Sequence, residues 1–319
     1  MKTQIVRIIL LIGLGLGMSL SPILAQADGI RKRVAITVDG ENVAELEVTK
    51  DDHSLEIHSL DYRADRNSVK GSGKLVSRSM AAPDFHAVSV SRGVNVIIGG
   101  TEQIEIEADD NLIDQVEATA SKGTLTIKIS DKIKSLSNTH VTVRIPYRDH
   151  LDAIRASSAA SVQSSRALLA DDIYIGISSS ARVDVALKAN RCSIDLSSAA
   201  KMKCVADLNS CTVNASSSSN LTASLKANKV EVDLSSAAKV TLSGSCSGLE
   251  ADLSSAAKLK ASELAVNGRA HVNASSGADA EVCCNGELIA HASSGADIEY
   301  SGDCAVEATK SSGGSVKRY

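Results

Sequence analysis

Residues 192–211, CSIDLSSAAKMKCVADLNSC, contain one copy of a unit that recurs through the second half of the chain. Each copy holds a serine pair followed by small residues. The first serines of the nine copies are Ser157, Ser178, Ser197, Ser216, Ser235, Ser254, Ser275, Ser293 and Ser311. The intervals between them are 21, 19, 19, 19, 19, 21, 18 and 18 residues, which is too short for two-helix repeats or propeller blades. The period predicts a coil that is one strand deep.

Alignment of the copies on the serine pair separates inward from outward positions. The residues one before the pair are small or apolar: Ala156, Ile177, Leu196, Ala215, Leu234, Leu253, Ala274 and Ala292. Five residues after the first serine, a second strand begins with Val162, Val183, Met202, Leu221, Val240, Leu259, Ala280, Ile298 or Val316. Two or three short strands per turn, with about 18–21 residues per turn, predict an all-β, right-handed parallel β-helix, a single-stranded solenoid. Each Ser-Ser-Ala-Ala segment is interpreted as a corner whose small side chains let neighbouring turns stack closely.

Two outward rows flank these corners. Two residues before the pair, the acidic row contains Asp195, Asn214, Asp233, Asp252 and Asn273. Four residues after the first serine, the basic row contains Arg182, Lys201, Asn220, Lys239 and Lys258, and continues with Asp279 and Asp297. We interpret both rows as structural, with charges that oppose sideways association. A ligand surface is the alternative.

The chain begins with the features of a secretory signal peptide. Lys2 and Arg7 precede an apolar stretch from Ile8 to Leu16, and small residues follow at Ala25-Gln26-Ala27. This pattern predicts cleavage after Ala27, hence a signal peptide over residues 1–27 and no stable membrane insertion afterwards. We therefore expect an exported protein in the periplasm or on the outer surface of a Gram-negative bacterium.

Residues 28–82 are predicted to form a short β-rich region ahead of the solenoid. Alternation at Val34–Val38 and Ala44–Val48 indicates one or two hairpins, and the basic stretch from Arg63 to Pro83 is interpreted as a mobile linker. From residue 83 onwards apolar and polar residues alternate with period two. This alternation predicts strands at Ala87–Val90, Val94–Ile98, Ile104–Glu107, Leu125–Ile129 and Val141–Ile145. A brief helix is predicted over residues 110–116. The solenoid domain is therefore assigned to residues 83–319.

The composition excludes several classes of protein. The net charge of −4 does not indicate a nucleic-acid-binding protein. A chain with no Trp and one Phe, Phe85, must have a thin core. Cys192 and Cys211 occupy an inward position in adjacent repeats and are interpreted as core residues. A disulfide between these stacked neighbours stays open as an alternative. The adjacent Cys283 and Cys284 should point to opposite faces of one strand.

The segment after residue 83 resembles a known family. The resemblance rests on Asp84–Val90, Gly93–Val96, Gly123–Ile127 and Val141–Pro146, followed by the serine repeats. These motifs are similar to the bacterial "putative auto-transporter adhesin, head GIN domain" proteins, a domain of unknown function (DUF2807). The resemblance implies an exported β-helical protein with an adhesin-like role and no assigned catalytic residues.

These observations favour a non-enzymatic envelope or surface protein, an adhesin-like or scaffolding rod. The alternative is a polysaccharide-binding or polysaccharide-cleaving β-helix with Asp279 and Asp297 as its stacked carboxylates. General acid–base catalysis of glycan cleavage needs two carboxylates in different environments. For stacking against sugar rings, the repeats contain only the isolated Tyr174 and Tyr300. We therefore assign no catalytic residue and no cofactor.

The metal and partner predictions follow from the same pattern. The seven histidines are His53, His58, His86, His140, His150, His271 and His291, and their spacing matches no metal-ligand motif. Neither do the repeats contain the nonapeptide of calcium-loaded β-rolls. The expected partner is a cell-surface glycan or protein. Because Lys317 and Arg318 discourage strand addition at the open end, the expected state is a monomer or a weak end-to-end dimer.

Overall fold

The computed structural model describes residues 18–22, 31–38, 41–50, 55–62 and 68–319. Contacts divide the chain into two compact units. The first comprises Met1–Lys70 with Asp131–Ser137, and the second comprises Gly71–Ser130 with Asn138–Tyr319. The predicted signal peptide lies outside the described residues, apart from a strand at Met18–Pro22.

Strands account for nearly all regular structure of the described residues. In chain order they are β1 (Met18–Pro22), β2 (Arg31–Val38), β3 (Glu41–Lys50), β4 (Leu55–Tyr62), β5 (Ser68–Lys70), β6 (Leu75–Met80), β7 (Ala87–Val90), β8 (Asn95–Ile98), β9 (Ile104–Asp109), β10 (Val116–Ser121), β11 (Thr124–Ile129), β12 (Ser135–Ser137), β13 (Val141–Ile145), β14 (Ala153–Ala156), β15 (Ser161–Ser164), β16 (Leu168–Ile177), β17 (Arg182–Leu196), β18 (Lys201–Ala215), β19 (Asn220–Leu234), β20 (Lys239–Leu253), β21 (Lys258–Ala274), β22 (Asp279–Cys284), β23 (Glu287–Ala292), β24 (Asp297–Ser301), β25 (Ala305–Lys310) and β26 (Ser315–Arg318). One short 3₁₀ helix spans Ile113–Gln115, inside the segment where a brief helix is predicted.

The first unit contains two small sheets. Strands β1 to β4 form an antiparallel sheet in sequence order, and β5 pairs in parallel with β12. Strands β2 and β3 pair antiparallel, in the region where the alternation predicts one or two hairpins.

The linker prediction is wrong for the described part of the basic stretch. Strand β6 lies within it and pairs antiparallel with β9. The Arg78 guanidinium donates a hydrogen bond of 3.0 Å to the carbonyl of Val116. Because β6 is held chiefly by backbone pairing and exposes most of its side chains, its polar composition conceals the strand.

The second unit is a solenoid of about nine parallel turns, as predicted. Strands β7, β8, β9, β11 and β13 lie where the period-two pattern predicts them. The first turn contains β7 and β8, on which β14 and β15 stack in parallel. Antiparallel pairing of β10 with β11 and of β9 with β6 and β13 completes this end of the sheet.

The middle turns differ from the prediction of two or three short strands each. Strands β17 to β20 are each a continuous strand of 15 residues, separated only by the serine corners. The chain bends near Asn190 and Asn209, which the pairing of β17 with β18 skips. Because the ladder resumes on both sides of this asparagine corner, one strand covers both arms of the turn.

The serine corners owe their shape to backbone conformation rather than to side-chain stacking alone. At the corner Ser197–Ala200 the central residues Ser198 and Ala199 have φ of 53° and 60°, and the Ala200 amide donates to the Ser197 carbonyl at 3.1 Å. Positive φ at both central residues is the signature of a type I′ turn. All nine corners share this conformation, and Arg92 and Gly93 repeat it ahead of the first serine pair.

In the first eight corners only the fourth residue forms a buried stacking column, so the small side chains that let neighbouring turns stack closely lie at this position. That column contains Ala160, Ala181, Ala200, Ser219, Ala238, Ala257, Ala278 and Ala296, each at most 1% exposed. The second and third residues point outward and are exposed. The third residue instead joins the turns through its amide, as when Ala199 donates to the carbonyl of Ser217 at 3.0 Å.

The cysteines behave as core residues. Cys192 lies opposite Cys211 in the ladder, both are 3% exposed, and all seven thiols are free. The neighbouring Cys211 thiol, together with burial, raises the pKa of the Cys192 thiol far above its usual range. Cys284 is buried while Cys283 is half-buried, as expected for opposite faces of β22.

We predict that corner stability depends on φ at the third position. Ala199→Gly should raise the free energy of unfolding by about 0.5–1 kcal/mol, because glycine adopts positive φ without a Cβ clash. Ala199→Val should lower it by about 1 kcal/mol or more. Urea denaturation measures both changes. The control, Ala200→Gly in the buried column, should be destabilising, and a gain there would contradict the assignment of the two positions.

The ninth turn places cations at inward positions. Lys310 lies opposite Ala292 in the ladder, and Arg318 lies opposite Tyr300. In the preceding turns these positions are apolar or aromatic, whereas Lys310 and Arg318 are exposed. Inward-pointing charge on an exposed edge strand opposes edge-to-edge growth.

We predict that the double substitution Lys310→Leu with Arg318→Val converts this open face into an association surface. In sedimentation velocity, the sedimentation coefficient of the variant should rise with protein concentration as its chains associate end to end. The wild-type chain should not associate through this face. Lys317→Leu, at the outward position beside Arg318, serves as the control. Equal growth of the control and the double variant would show that the inward charges do not protect this face.

Candidate functional site

A long polar groove follows one side of the serine corners. Its volume is about 950 Å³, and it runs past eight first serines from Ser157 to Ser293, a length of roughly 34 Å at about 4.8 Å per turn. The first serines and the acidic row line it: Ser178, Asp195, Ser197, Asn214, Ser216, Asp233, Ser235, Asp252, Ser254, Asn273 and Ser275. Because the type I′ turn projects the second and third corner residues outward, each corner forms a ridge of small side chains beside the groove.

Hydrogen bonds along the acidic row join neighbouring turns. Asn214 Nδ2 donates to Asp195 Oδ1 at 2.8 Å, and Asn273 Nδ2 donates to Asp252 Oδ1 at 2.7 Å. Asp233 lies between Asn214 and Asp252 in the ladder. Burial raises the pKa of Asp233, and the nearby carboxylates of Asp252, Glu231 and Glu250 raise it further. The centre of the groove therefore carries excess negative charge.

The two ends of the groove carry different groups. At one end the Arg155 guanidinium lies 5.2 Å from the centre of the Tyr174 ring. Burial, and then a hydrogen bond with the Asp195 carboxylate, raises the pKa of Tyr174. At the other end His291 meets His271 edge-on, with ring centroids 5.6 Å apart. The groove thus offers hydroxyl, carboxylate, amide and one aromatic group to a partner.

The carboxylates singled out from the sequence do not form an acid–base pair in this groove. Asp279 and Asp297 are ladder neighbours in the basic row, on the other side of the corner. Lys258 Nζ lies 2.6 Å from Asp279 Oδ2, and Lys317 Nζ lies 4.0 Å from Asp297 Oδ1. Each carboxylate therefore has a lysine partner, and Tyr174 lines the groove whereas Tyr300 does not.

A histidine–carboxylate pair that the sequence did not reveal lies near the start of the solenoid. His86 Nδ1 is 2.7 Å from Asp152 Oδ2. A Cβ added to Gly123 would lie 2.0 Å from His86 Nε2, so this nitrogen packs against the backbone at Gly123. The pair links the residue ahead of β7 to the residue ahead of β14.

The buried carboxylate of Asp109 is likewise structural. It is fully buried and accepts hydrogen bonds of 2.7 Å from the backbone amides of Gly73 and His140. Both oxygens are thus used to hold two loops. Among the described residues, no group of three or more His, Cys, Asp or Glu side chains could hold a metal ion.

Fold and groove together define a class of protein: a parallel β-solenoid with a polar groove along one corner. The chain belongs to the family described as "putative auto-transporter adhesin, head GIN domain", whose model matches residues 84–224 and 194–304. The two matches overlap and span most of the solenoid, which confirms the resemblance seen in the sequence.

Solved structures with the same fold come from two species of Parabacteroides. A "putative adhesin" from Parabacteroides merdae is 19% identical, with a TM-score of 0.62 over 79% of this chain and 99% of its own. A "putative adhesin" from Parabacteroides distasonis is 20% identical, with a TM-score of 0.62 over 79% and 100% of the two chains. A "putative lipid binding protein" from the same organism is 17% identical, with a TM-score of 0.58 over 79% and 99%. At these identities the likeness establishes the fold alone.

A search of curated proteins finds no match. Within the part of the chain that the structure describes, none of the helices has the length and apolar character needed to span a bilayer.

We predict that Asp233→Asn stabilises the solenoid at neutral pH. Because the fold raises the pKa of Asp233, its contribution to stability is present at low pH and is lost as the pH rises through that pKa. The gain in unfolding free energy should therefore appear at pH 7 and vanish below about pH 3, where the aspartate is protonated in both states. Asp195→Asn is the control, since Asp195 already accepts the Asn214 amide. Equal gains from both substitutions would contradict this account.

Proposed function

We propose that this chain is an exported, non-enzymatic rod of the cell envelope or cell surface, with an adhesin-like or scaffolding role. The observation that carries the proposal is the continuous polar groove, which repeats the same hydroxyl and carboxylate or amide groups at every turn. Such a surface suits an extended partner, a glycan or a protein, that lies along several turns. Membership of an adhesin-like family supports an exported location in the periplasm or on the outer surface of a Gram-negative cell.

The distribution of polar groups supports binding rather than catalysis. A hydrolase or lyase needs groups with distinct protonation states that converge on one bond. Here the serines recur alike from turn to turn, and Asp279 and Asp297 both lie beside lysines. The groove does favour polysaccharide binding as a second candidate, because Tyr174 and a row of hydroxyls and carboxylates line it.

The lipid-binding description of one structural relative gains no support from this interior. The cavity between the arms of the middle turns, lined by Leu187, Cys192, Cys204 and Leu225 among others, has a volume of about 10 Å³. Small-molecule sites usually enclose about 300–1,000 Å³. A lipid chain would therefore not fit this cavity.

The proposal predicts that filling the groove abolishes attachment. Cells that lack the gene are complemented with the wild-type chain or with Ser216→Gln and Ser235→Gln combined, which places two longer side chains in the groove. We expect the variant to fold and to lose cell attachment or partner capture. Ser247→Gln, on the exposed asparagine corner, should retain it.

Two results would contradict the proposal. The first is full attachment by cells carrying the groove-filled variant. The second is release of glycan fragments by the purified protein at an ordinary enzymatic rate, which would favour the polysaccharide-cleaving alternative.

A further inference from the structure

The acidic and basic rows match each other turn by turn. Taking the residue two before each serine pair with the residue four after its first serine gives Gly176 with Arg182, Asp195 with Lys201, Asn214 with Asn220, Asp233 with Lys239, Asp252 with Lys258, Asn273 with Asp279, and His291 with Asp297. No turn in this set joins like charges. Where the basic row changes sign at Asp279 and Asp297, the acidic row changes to Asn273 and His291.

Within one chain, the acidic-row residue and the basic-row residue of the same turn do not contact each other. Among the ion pairs and hydrogen bonds of residues 68–319, those of the two rows run along a row, as between Asn214 and Asp195 or between Lys258 and Asp279. Lys317, outside the rows, also lies 4.0 Å from Asp297 on the neighbouring turn, but none of these contacts crosses the corner to join the two members of one turn. Asp233, Lys239 and Lys258 are all exposed. The complementary groups are therefore presented to a partner.

The surface around the corner also has two parts that fit each other, a ridge and a groove. Each corner is a ridge of two exposed small residues, such as Ser236 and Ala237, and the groove lies next to it on the acidic side. A ridge without long side chains can enter a groove of this kind. A second copy of the chain carries both the ridge and the groove.

We propose that this groove is the contact between two copies of the chain lying side by side, parallel and in register. A two-fold axis parallel to the rod places the ridge of each copy in the groove of the other. It also sets each acidic row against the other copy's basic row at the same turn. The inference rests on the proposed role as a surface rod, because two rods held at the same surface point the same way.

Charge selects this arrangement over its competitors. An antiparallel pair about a perpendicular two-fold axis would set acidic row against acidic row, with Asp233 and Asp252 facing carboxylates. A slip of one turn in the parallel pair would set Asp252 against Asp279. The in-register pair avoids both repulsions, which revises the interpretation of the rows as charges that only oppose sideways association.

The pair should be weak and sensitive to salt. Its contact is a strip of small and charged side chains along the corner, without a large apolar surface. Exposed ion pairs each contribute little and are screened by salt. We therefore expect association at low ionic strength and dissociation in about 1 M salt, where the Debye length is about 3 Å.

The test uses two variants of opposite charge. Asp233→Lys with Asp252→Lys makes both rows cationic at these turns, and Lys239→Asp with Lys258→Asp makes both anionic. Each variant alone should sediment as a monomer at concentrations where the wild-type chain dimerises at low salt. An equimolar mixture should regain the dimer, because every contact is again between opposite charges. Lys188→Asp with Lys226→Asp, on the asparagine corner, changes net charge equally and should dimerise like the wild type.

Cysteine cross-linking tests the orientation. A short bis-maleimide should join Ser198→Cys chains to each other and Ser294→Cys chains to each other. It should not join a tagged Ser198→Cys chain to a Ser294→Cys chain, which an antiparallel pair would allow.

Two outcomes overturn the proposal: a wild-type chain that stays monomeric at low salt, and an antiparallel cross-link. A chain that stays monomeric while its groove still supports attachment leaves the proposed function standing, with a glycan or another protein in the groove. A chain that pairs as described while groove-filled cells attach normally refutes the adhesive role instead.

Discussion

The left-handed corner, hydrogen-bonded from one turn to the next, is the constraint on which the rest of the solenoid depends. Two successive residues with positive φ reverse the chain within four residues, and the amide of the third corner residue binds the next turn. This geometry keeps equivalent residues at the strand spacing along the rod. It leaves small, exposed side chains at the apex, because larger or β-branched residues tolerate positive φ poorly. The corner therefore sets the register of the strands, and this register aligns the apolar core, the outward rows and the groove from turn to turn.

Exact repetition has electrostatic consequences. A charged residue repeated at every turn would face its own copy at about 4.8 Å on both sides. The chain interrupts its acidic row with Asn214 and Asn273, which donate amide hydrogen bonds to the preceding aspartates. Asp233 and Asp252 remain adjacent, and there the pKa of Asp233 rises. Negative charge is thus retained at the centre of the groove, where a partner with positive charge can compensate it.

The sequence predicts the solenoid well because its apolar positions recur with a constant offset from the serine pair. Strands β7 and β13 begin and end where their alternation predicts. The corner conformation escaped prediction, because Ser198 and Ala199 are not residue types that favour positive φ. Strand β6 escaped because backbone pairing rather than buried apolar side chains holds it. The groove also needed the structure, since concavity arises only when the corner ridge and the acidic row are placed side by side.

The claim that the serine groove is where the rod meets its partner can be tested most directly by thiol labelling on intact cells that produce the protein. One chain carries Ser235→Cys in the groove, and another carries Ser247→Cys on the asparagine corner. We expect an impermeant maleimide to label Cys at position 247 readily and at position 235 slowly on cells. The purified monomer in high salt should be labelled at both positions. Equal labelling of the two positions on cells would contradict it.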